Sequence, residues 1–347
     1  MLLQIDWFVI IEKFVLIAVI VTTALVVAMY STYAERKVAA FLQDRVGPDR
    51  AGPFGLLQPL ADGVKLFMKE EIIPITSSRT LFVMGPLLAM ITATMTSAVI
   101  PWGWTIDVAG RQVPLQVADI NIGILYIFGV VSLGVYGIMI GGWASNNKFS
   151  LISSIRGASQ MISYELAMGL SLIAVLMLVG DLRMSTIVTY QTQHGWNIIY
   201  QPLGFLIFFV CALAECNRTP FDLPEAENEL NFGYHQEYSS MKLGFYLFAE
   251  YINMFISGVV MSTVFFGGYD IPFVNEAAWG PHWWVGLIGF AVLMAKAFAF
   301  IFLFMWIRWT IPRFRYDQLM NLGWKGLLPL ALFNMVITAV VALLLNQ

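Results

Sequence analysis

Eight apolar stretches, most of them about as long as a bilayer is thick and the fifth one shorter, constrain this chain more than any other feature. A membrane-spanning helix needs about 20 mainly apolar residues, because lipid offers backbone N–H and C=O groups no hydrogen-bond partner. Of the 347 residues 59% are hydrophobic and only 12% are charged, against about 25% charged in soluble domains. We therefore predict an all-α polytopic membrane protein. Its spans cover roughly residues 8–30, 81–100, 120–142, 163–180, 203–216, 245–267, 283–306 and 327–345.

The distribution of Lys and Arg predicts the orientation. The loops at 31–80, 143–162, 217–244 and 307–326 hold 15 of the 19 Lys and Arg residues. Because cytoplasmic loops are rich in these residues, we place the four loops in the cytoplasm and both termini outside. The first residues contain Asp6 but no Lys or Arg, which argues against a signal peptide. No repeat or linker divides the chain, so residues 1–347 form one predicted membrane domain.

Composition also limits the chemistry. Cys211 and Cys216 are the only cysteines, too few for a cysteine-ligated iron–sulfur cluster within this chain. The three histidines are too far apart in sequence for a His-x-x-x-His metal site, and His235 is expected to be a hydrogen-bonded structural histidine. A net charge of −3 does not indicate a nucleic-acid surface. We expect no metal and no redox centre in this chain, so any electron transfer takes place in its partner proteins.

The first cytoplasmic loop contains a predicted amphipathic helix at roughly 54–69. Leu57, Leu60 and Phe67 fall on one face of it, while Asp62 and Lys65 fall on another. The helix is too short and too charged to span a bilayer. It could lie on the lipid surface as a bracket, or form the floor of a slot through which an amphiphile leaves the bilayer. The spacing alone favours the bracket.

A second cytoplasmic loop carries six carboxylates in 23 residues, from Glu215 to Glu237. Apolar neighbours and two prolines favour a shaped, partly buried loop of broken helical turns over a solvated one. On such turns Glu225 and Glu229 are expected to be neighbours of like charge, and burial raises the pKa of such groups. Several carboxylates at one depth suggest a path for protons or cations.

Other ionisable residues lie within or near the predicted spans, where charge is costly. Glu165 opens the fourth span, and Glu250 lies deep in the sixth. An ion pair between Glu250 and Lys296 is an alternative to a conducting role. Glu35 and Arg308 lie near span ends, where reaching back to the interface is the simplest explanation.

Several long motifs, covering nearly the whole chain, resemble one family. They include Glu35-Arg-Lys, Arg45-Val-Gly-Pro-Asp-Arg, Ile162-Ser-Tyr-Glu165, Glu215-Cys-Asn-Arg-Thr-Pro-Phe-Asp-Leu-Pro-Glu-Ala-Glu227 and Arg308-Trp-Thr-Ile-Pro-Arg-Phe-Arg-Tyr-Asp317. On these residues the chain resembles the family of H-type membrane subunits of the proton-pumping NADH:quinone oxidoreductases (respiratory complex I). Asn228 stands where the family pattern has Ser, and Ser240 where it has Gly.

The resemblance implies roles for particular residues. It changes the preference for the first loop from a bracket to part of a quinone chamber. The polar part of that chamber would be Arg36, Arg45, Asp62 and Lys65, and the apolar part Leu57, Leu60 and Phe67. An acidic channel coupling quinone reduction to proton translocation would contain Glu35, Glu165, Glu215, Asp222, Glu225, Glu227 and Glu250, with Arg218 and Arg308 tuning its charges.

The resemblance also implies the surroundings. The substrate would be a quinone, either ubiquinone or menaquinone, with FMN and Fe–S clusters on partner subunits. Those partners would be the hydrophilic B, D and I type subunits and the membrane subunits of A, J and K type, in a cell inner membrane. Three rivals remain open: a secondary cation or proton transporter, the membrane anchor of an energy-converting hydrogenase, and a structural scaffold.

Overall fold

The computed structural model describes residues 7–108, 110–272, 274, 280 and 282–345. Within these ranges the chain is almost entirely helical. The helices are α1 (Trp7–Leu42), α2 (Gln58–Met68), α3 (Arg79–Met95), α4 (Gly123–Ala144), α5 (Lys148–Val179), α6 (Met184–His194), α7 (Asn197–Tyr200), α8 (Pro202–Glu215), α9 (Glu227–Leu230), α10 (Ser240–Phe265), α11 (Trp283–Thr310), α12 (Tyr316–Asn321) and α13 (Leu328–Leu345). A small antiparallel hairpin joins β1 (Ile106–Val108) to β2 (Arg111–Val113).

Seven helical segments among the described residues are long and apolar enough to cross a membrane. They are α1, α3, α4, α5, α10, α11 and the segment Tyr316–Leu344, in which the π-helical turn Leu322–Leu327 joins α12 to α13. The predicted fifth span corresponds to the shorter apolar helix α8, which ends at Glu215. The chain is thus an all-α, multi-pass membrane protein, as its sequence predicts.

Helix α10 lies at the centre of the bundle, where it packs against α1, α3, α8 and α11. In the apolar stretch of α10, 61% is buried, whereas only 11% of the apolar stretch of α1 is buried. The difference follows from position, since α1 presents apolar side chains such as Trp7 and Phe14 outward. Charged side chains on α10 are therefore held inside protein, where they need partners.

Lys296 on α11 shows that one predicted alternative is wrong. Its ammonium donates hydrogen bonds to the carbonyl oxygens of Phe266, Gly268 and Asp270, at 2.6–2.8 Å. These carbonyls lie just beyond the end of α10, where helix carbonyls lack partners and a cation is favourable. The lysine caps a helix end and does not pair with Glu250.

The acidic loop between α8 and α10 is folded against the bundle. It contains a cis Thr219-Pro220 peptide bond, the single helical turn of α9 and a 3-10 turn at Gly233–His235. Gly233 has φ +62°, and a Cβ there would overlap the carbonyl oxygen of Pro224. This close approach packs the backbone at Pro224 against the 3-10 turn at Gly233. As a result, the side chains of Glu225 and His235 lie side by side.

The amphipathic helix in the first loop begins slightly later than predicted. A 3-10 turn at Pro53–Gly55 precedes α2, which runs from Gln58 to Met68. Helix α2 contacts α1 and α10 on one side. Its opposite side exposes Leu57, Leu60 and Phe67. The helix therefore covers one end of the α1–α10 contact.

Candidate functional site

Four carboxylates and three arginines meet where α1, α10 and α11 approach the acidic loop. Glu35 on α1 lies at the centre, 2.5 Å from Arg308 Nη1 and 3.5 Å from Arg218 Nη1. Glu35 is only 6% exposed, so it does not reach back to the interface as its sequence position suggested. We refer to the whole group as the carboxylate cluster: Glu35, Asp222, Glu225 and Glu250 with Arg218, Arg308, Arg313 and His235.

Arg218 connects the parts of the carboxylate cluster. Its guanidinium lies 3.5 Å from Glu35, 3.9 Å from Glu250 and 4.2 Å from the ring centre of Tyr251. The residue is 5% exposed. A planar guanidinium can face two carboxylates and stack on an aromatic ring at once, which an ammonium cannot do. The hydroxyl of Tyr251 donates a hydrogen bond to Glu35 at 2.8 Å, which closes the group.

Asp222 lies at the edge of the cluster with Arg313, an arginine that sequence reasoning did not single out. Arg313 Nη2 lies 3.0 Å from the carboxylate of Asp222, which is 2% exposed. Burial and the neighbouring charge of Glu225 raise the pKa of Asp222 to about 7, although Arg313 acts in the opposite direction. The group therefore exchanges its proton near neutral pH.

This raised pKa predicts how Asp222 affects stability. A carboxyl whose pKa is higher in the folded state than its ordinary 3.8 stabilises the fold when protonated. That stabilisation is complete below pH 4 and is lost as pH rises to about 7. Relative to Asp222→Asn, the wild-type chain should lose up to about 1.4 kcal/mol per pH unit across that window. Thermal unfolding of both forms between pH 5.5 and 8 measures the change, and a constant difference would contradict it.

Glu225, His235 and Glu250 form the other edge. His235 Nδ1 lies 3.2 Å from Glu225, and His235 Nε2 lies 3.9 Å from Glu250. Burial alone would raise the pKa of Glu225, but the close contact and charge of His235 outweigh it, so the pKa is lowered. Glu229 is not a neighbour of Glu225, because it points outward and pairs with Arg156 at 2.8 Å. The expected like-charge pair on one helical face is therefore wrong.

Two tyrosines support this edge. The hydroxyl of Tyr234 donates to Glu250 at 2.9 Å, and Tyr246 packs edge-on against Tyr234. Burial raises the pKa of Tyr234 well above its usual value, so the hydroxyl stays protonated as a donor. Neither ring nitrogen of His235 has an aligned hydrogen bond, contrary to the expectation for a structural histidine. No sequence signal pointed to this arrangement, since His235 and Glu250 are in different elements.

An internal cavity of about 70 Å³ continues from the cluster into the bundle. Glu250 lines it from α10 and Glu215 from the end of α8, together with Asn217 and Asn253. Glu215 is 8% exposed, and one of its oxygens has no hydrogen-bond partner. Glu165 lies near Glu215 and is hydrogen-bonded by Ser132. We call this space the inner cavity.

A second cavity, of about 200 Å³, lies between α1, α2 and α10, and we call it the side cavity. Three of the predicted chamber residues line it: Arg36, Asp62 and Lys65. Arg36 Nη1 pairs with Asp62 at 2.7 Å. The apolar wall consists of residues that were not predicted, including Leu66, Leu247 and Phe248. Tyr251 also lines this cavity, so one tyrosine contacts both the side cavity and the carboxylate cluster.

The four other predicted chamber residues do not line these two cavities. Leu57, Leu60 and Phe67 are 49%, 48% and 71% exposed on the outer face of α2. Arg45 is exposed and bonds to Gln43. The side chain of Glu227 lies outside the described residues. Helical spacing predicted the two faces of α2 correctly, but it could not tell which face lies towards α10.

Comparisons with known proteins agree with one another. A family model described as NADH dehydrogenase matches residues 14–339. The chain is 64% identical to the first H-type subunit of the NADH-quinone oxidoreductase of Cytophaga hutchinsonii, over 96% of this chain and 97% of the relative. It is 61% identical to the H-type NADH-quinone oxidoreductase subunit of Flavobacterium johnsoniae, over 96% of each. The first H-type subunit of Geobacter metallireducens is 49% identical over 94% and 95%.

Proposed function

Because the chain belongs to the NADH dehydrogenase family, as the H-type membrane subunit of a proton-translocating NADH-quinone oxidoreductase, we propose that its side cavity is part of the quinone chamber. We further propose that its carboxylate cluster transmits quinone reduction to proton translocation. The observation that carries this proposal is Tyr251. Its ring lies in the wall of the side cavity, while its hydroxyl bonds Glu35 and its ring stacks on Arg218.

The side cavity has the chemistry that a quinone requires. An isoprenoid tail needs apolar surface, which Leu66, Leu247 and Phe248 supply. A headgroup needs hydrogen-bond donors, and Arg36 and Lys65 lie on the same wall. The apolar face of α2, with Leu57, Leu60 and Phe67, would then rest against lipid or a partner subunit. We propose Arg45, on the exposed loop before α2, as a contact at the chamber's entrance.

The carboxylate cluster can pass a change of charge onward. Its members are close enough that each proton affinity depends on the others, so the group titrates collectively. A change in proton demand at the side cavity would reach Glu35 through Tyr251, then Glu250 through Arg218. From Glu250 the inner cavity leads to Glu215 and then Glu165. The path is completed on the acidic loop by Asp222, Glu225 and Glu227. Arg308, which is paired with Glu35, lies at its start.

The assembled setting follows from family membership. The chain is a multi-pass subunit of a multi-subunit complex, and its substrate is a quinone. We propose contacts with hydrophilic B, D and I type subunits that supply FMN and Fe–S clusters, and with membrane subunits of A, J and K type. The excess of Lys and Arg in four loops supports a cytoplasmic position for those loops and outer termini.

Glu225→Gln tests the coupling role. The amide keeps the size of the side chain but removes the charge opposite His235, so we expect quinone-dependent proton pumping to fall at least 10-fold. The control is Glu229→Gln, four residues on, whose partner Arg156 is at the surface. NADH:quinone reduction and proton uptake are measured with the assembled complex in vesicles. Normal reduction and pumping in Glu225→Gln, and also in Glu215→Gln, would show that neither the carboxylate cluster nor the inner cavity has a coupling role.

A further inference from the structure

The edge of the carboxylate cluster formed by Glu225, His235 and Glu250 combines two carboxylates with an imidazole. Each residue presents one potential ligand atom, and the three atoms lie within 4.8 Å of one another. Two carboxylates and an imidazole are a ligand set that zinc accepts in proteins. From these three residues we propose a binding site for a divalent transition-metal ion of the zinc type.

The spacing of the ligand atoms supports the proposal. Tetrahedral zinc with bonds of 2.0–2.2 Å to nitrogen and oxygen places neighbouring ligand atoms about 3.4 Å apart. His235 Nδ1 and Glu225 are 3.2 Å apart. Small rotations of the Glu250 side chain would bring its oxygen to the same spacing, since the limit for all three atoms is 4.8 Å. The three side chains are thus nearly in place for an ion.

The histidine supplies a second, independent observation. His235 is 1% exposed, and neither of its ring nitrogens has an aligned hydrogen bond. One carboxylate oxygen of Glu225 is buried and without a hydrogen bond as well. Buried polar atoms are nearly always satisfied, so an unsatisfied His235 Nδ1 that lies 3.2 Å from an unsatisfied Glu225 oxygen suits a ligand that bonds to both. An ion there would bond the nitrogen and both carboxylates.

Charge and space also favour a cation. Glu225 and Glu250 supply two carboxylates, whereas Arg218 lies nearer to Glu35, at 3.5 Å, than to Glu250, at 3.9 Å. The inner cavity, which Glu250 and Tyr234 line, is about 70 Å³ and has room for a water molecule. Such a water would complete four-coordination. A bound ion would also keep both carboxylates deprotonated.

The site is tested on the intact complex by counting tightly bound zinc. Metal is first removed with a chelator, and ZnCl2 is then titrated against a competing zinc-binding dye. The wild-type complex should bind one more tight zinc ion than the His235→Asn complex. In the variant that ion should bind more than about 100-fold more weakly. Such a loss exceeds the one caused by changing a residue that only contacts a metal ligand. Equal numbers of tight sites in the two forms would overturn the proposal.

Two control variants separate this site from general effects. His194→Asn removes an exposed histidine on α6, and Glu229→Gln removes an exposed carboxylate of the same loop. Both should keep the extra tight ion. Loss of the ion in either would overturn the assignment to Glu225, His235 and Glu250.

A direct measurement on the wild type covers the case in which His235→Asn does not assemble. Zinc anomalous scattering from crystals of the zinc-loaded complex should place a peak between the three side chains, and no peak there would refute the site. The readout is binding rather than activity. A negative result would therefore leave the proposed coupling role standing, and a failure of the coupling role would leave the metal site standing.

Discussion

Replacing Arg218 with methionine is expected to lower the free energy of unfolding by about 3–5 kcal/mol, the cost of leaving a buried charge without its partner. Glu35 would keep Arg308 and Tyr251, but Glu250 would lose its arginine and keep Tyr234 and His235. Uptake of a proton by Glu250 would limit the cost, so the lower end of the range is expected. Thermal unfolding of the purified complex, with retention of this subunit, measures the change.

Arg156→Met is the matched control for this prediction. Arg156 also pairs with a carboxylate, Glu229, but that side chain is 54% exposed, and exposed pairs contribute about 0–1 kcal/mol. The double variant Arg218→Met with Glu250→Gln should recover part of the lost stability, because it removes the unpaired charge. Equal stability of Arg218→Met and Arg156→Met, or no recovery in the double variant, would disprove the central position of Arg218.

Gly233→Ala is expected to disrupt the acidic loop and with it quinone-dependent activity. The added Cβ would overlap the carbonyl oxygen of Pro224 and approach Ser153 Oγ to 2.7 Å. Because the first of these atoms is backbone, residues 224–225 must move away from the 3-10 turn, which separates Glu225 from His235. We expect a loss of about 3 kcal/mol or more, from strain and overpacking together. Activity should fall more than 10-fold.

Gly180→Ala isolates the steric part of this effect. Gly180 also has a left-handed conformation, φ +78°, but a Cβ there would meet nothing within 4 Å. It therefore carries the backbone cost of alanine without the overlap. Unfolding temperature and NADH:quinone reduction of the two variants are compared side by side. If Gly180→Ala were as harmful as Gly233→Ala, backbone conformation alone would explain both results.

The spans could be predicted from the sequence because lipid imposes one requirement on every residue of a crossing helix. Apolar length alone therefore located α1, α3, α10 and α11. The fifth predicted span, a short apolar run, is the shorter helix α8, which ends at the buried Glu215. No comparable rule predicts which helices pack against each other or which of their side chains meet. On sequence grounds Glu250 is therefore a reasonable partner for Lys296, although the lysine caps the end of α10 instead.

The candidate site could be predicted only as a set of residue types. Glu35 and Arg218 are 183 positions apart, and Glu35 and Tyr251 are 216 apart. Their contact depends on how α1 and α10 pack, which hydrophobic periodicity does not encode. Tyr251 gave no signal, because a tyrosine inside an apolar span looks like any aromatic core residue. Arg313 was visible within the motif that starts at Arg308, but nothing in sequence connected it with Asp222.

The same limit explains the candidate metal site. Sequence spacing argues against a His-x-x-x-His metal site. It cannot detect a single histidine that meets two carboxylates from different elements. Glu225 precedes α9, His235 ends a 3-10 turn, and Glu250 lies on α10. The close approach of Gly233 to Pro224, together with hydrogen bonds from Ser150 and Ser153 to the carbonyls of these two residues, brings the loop residues together.

The position of Tyr251 has a thermodynamic consequence that runs in both directions. Tyr251 lines the side cavity and bonds Glu35 of the carboxylate cluster, so under the proposed function the two are linked sites. If an occupant of the side cavity alters the proton affinity of Glu35 by some factor, protonation of Glu35 must alter the occupant's affinity by the same factor. Tyr251→Phe, which keeps the ring and removes the hydrogen bond, changes both sides of that equality together. The pH that Glu35 experiences would thereby act as an allosteric effector of whatever the side cavity binds.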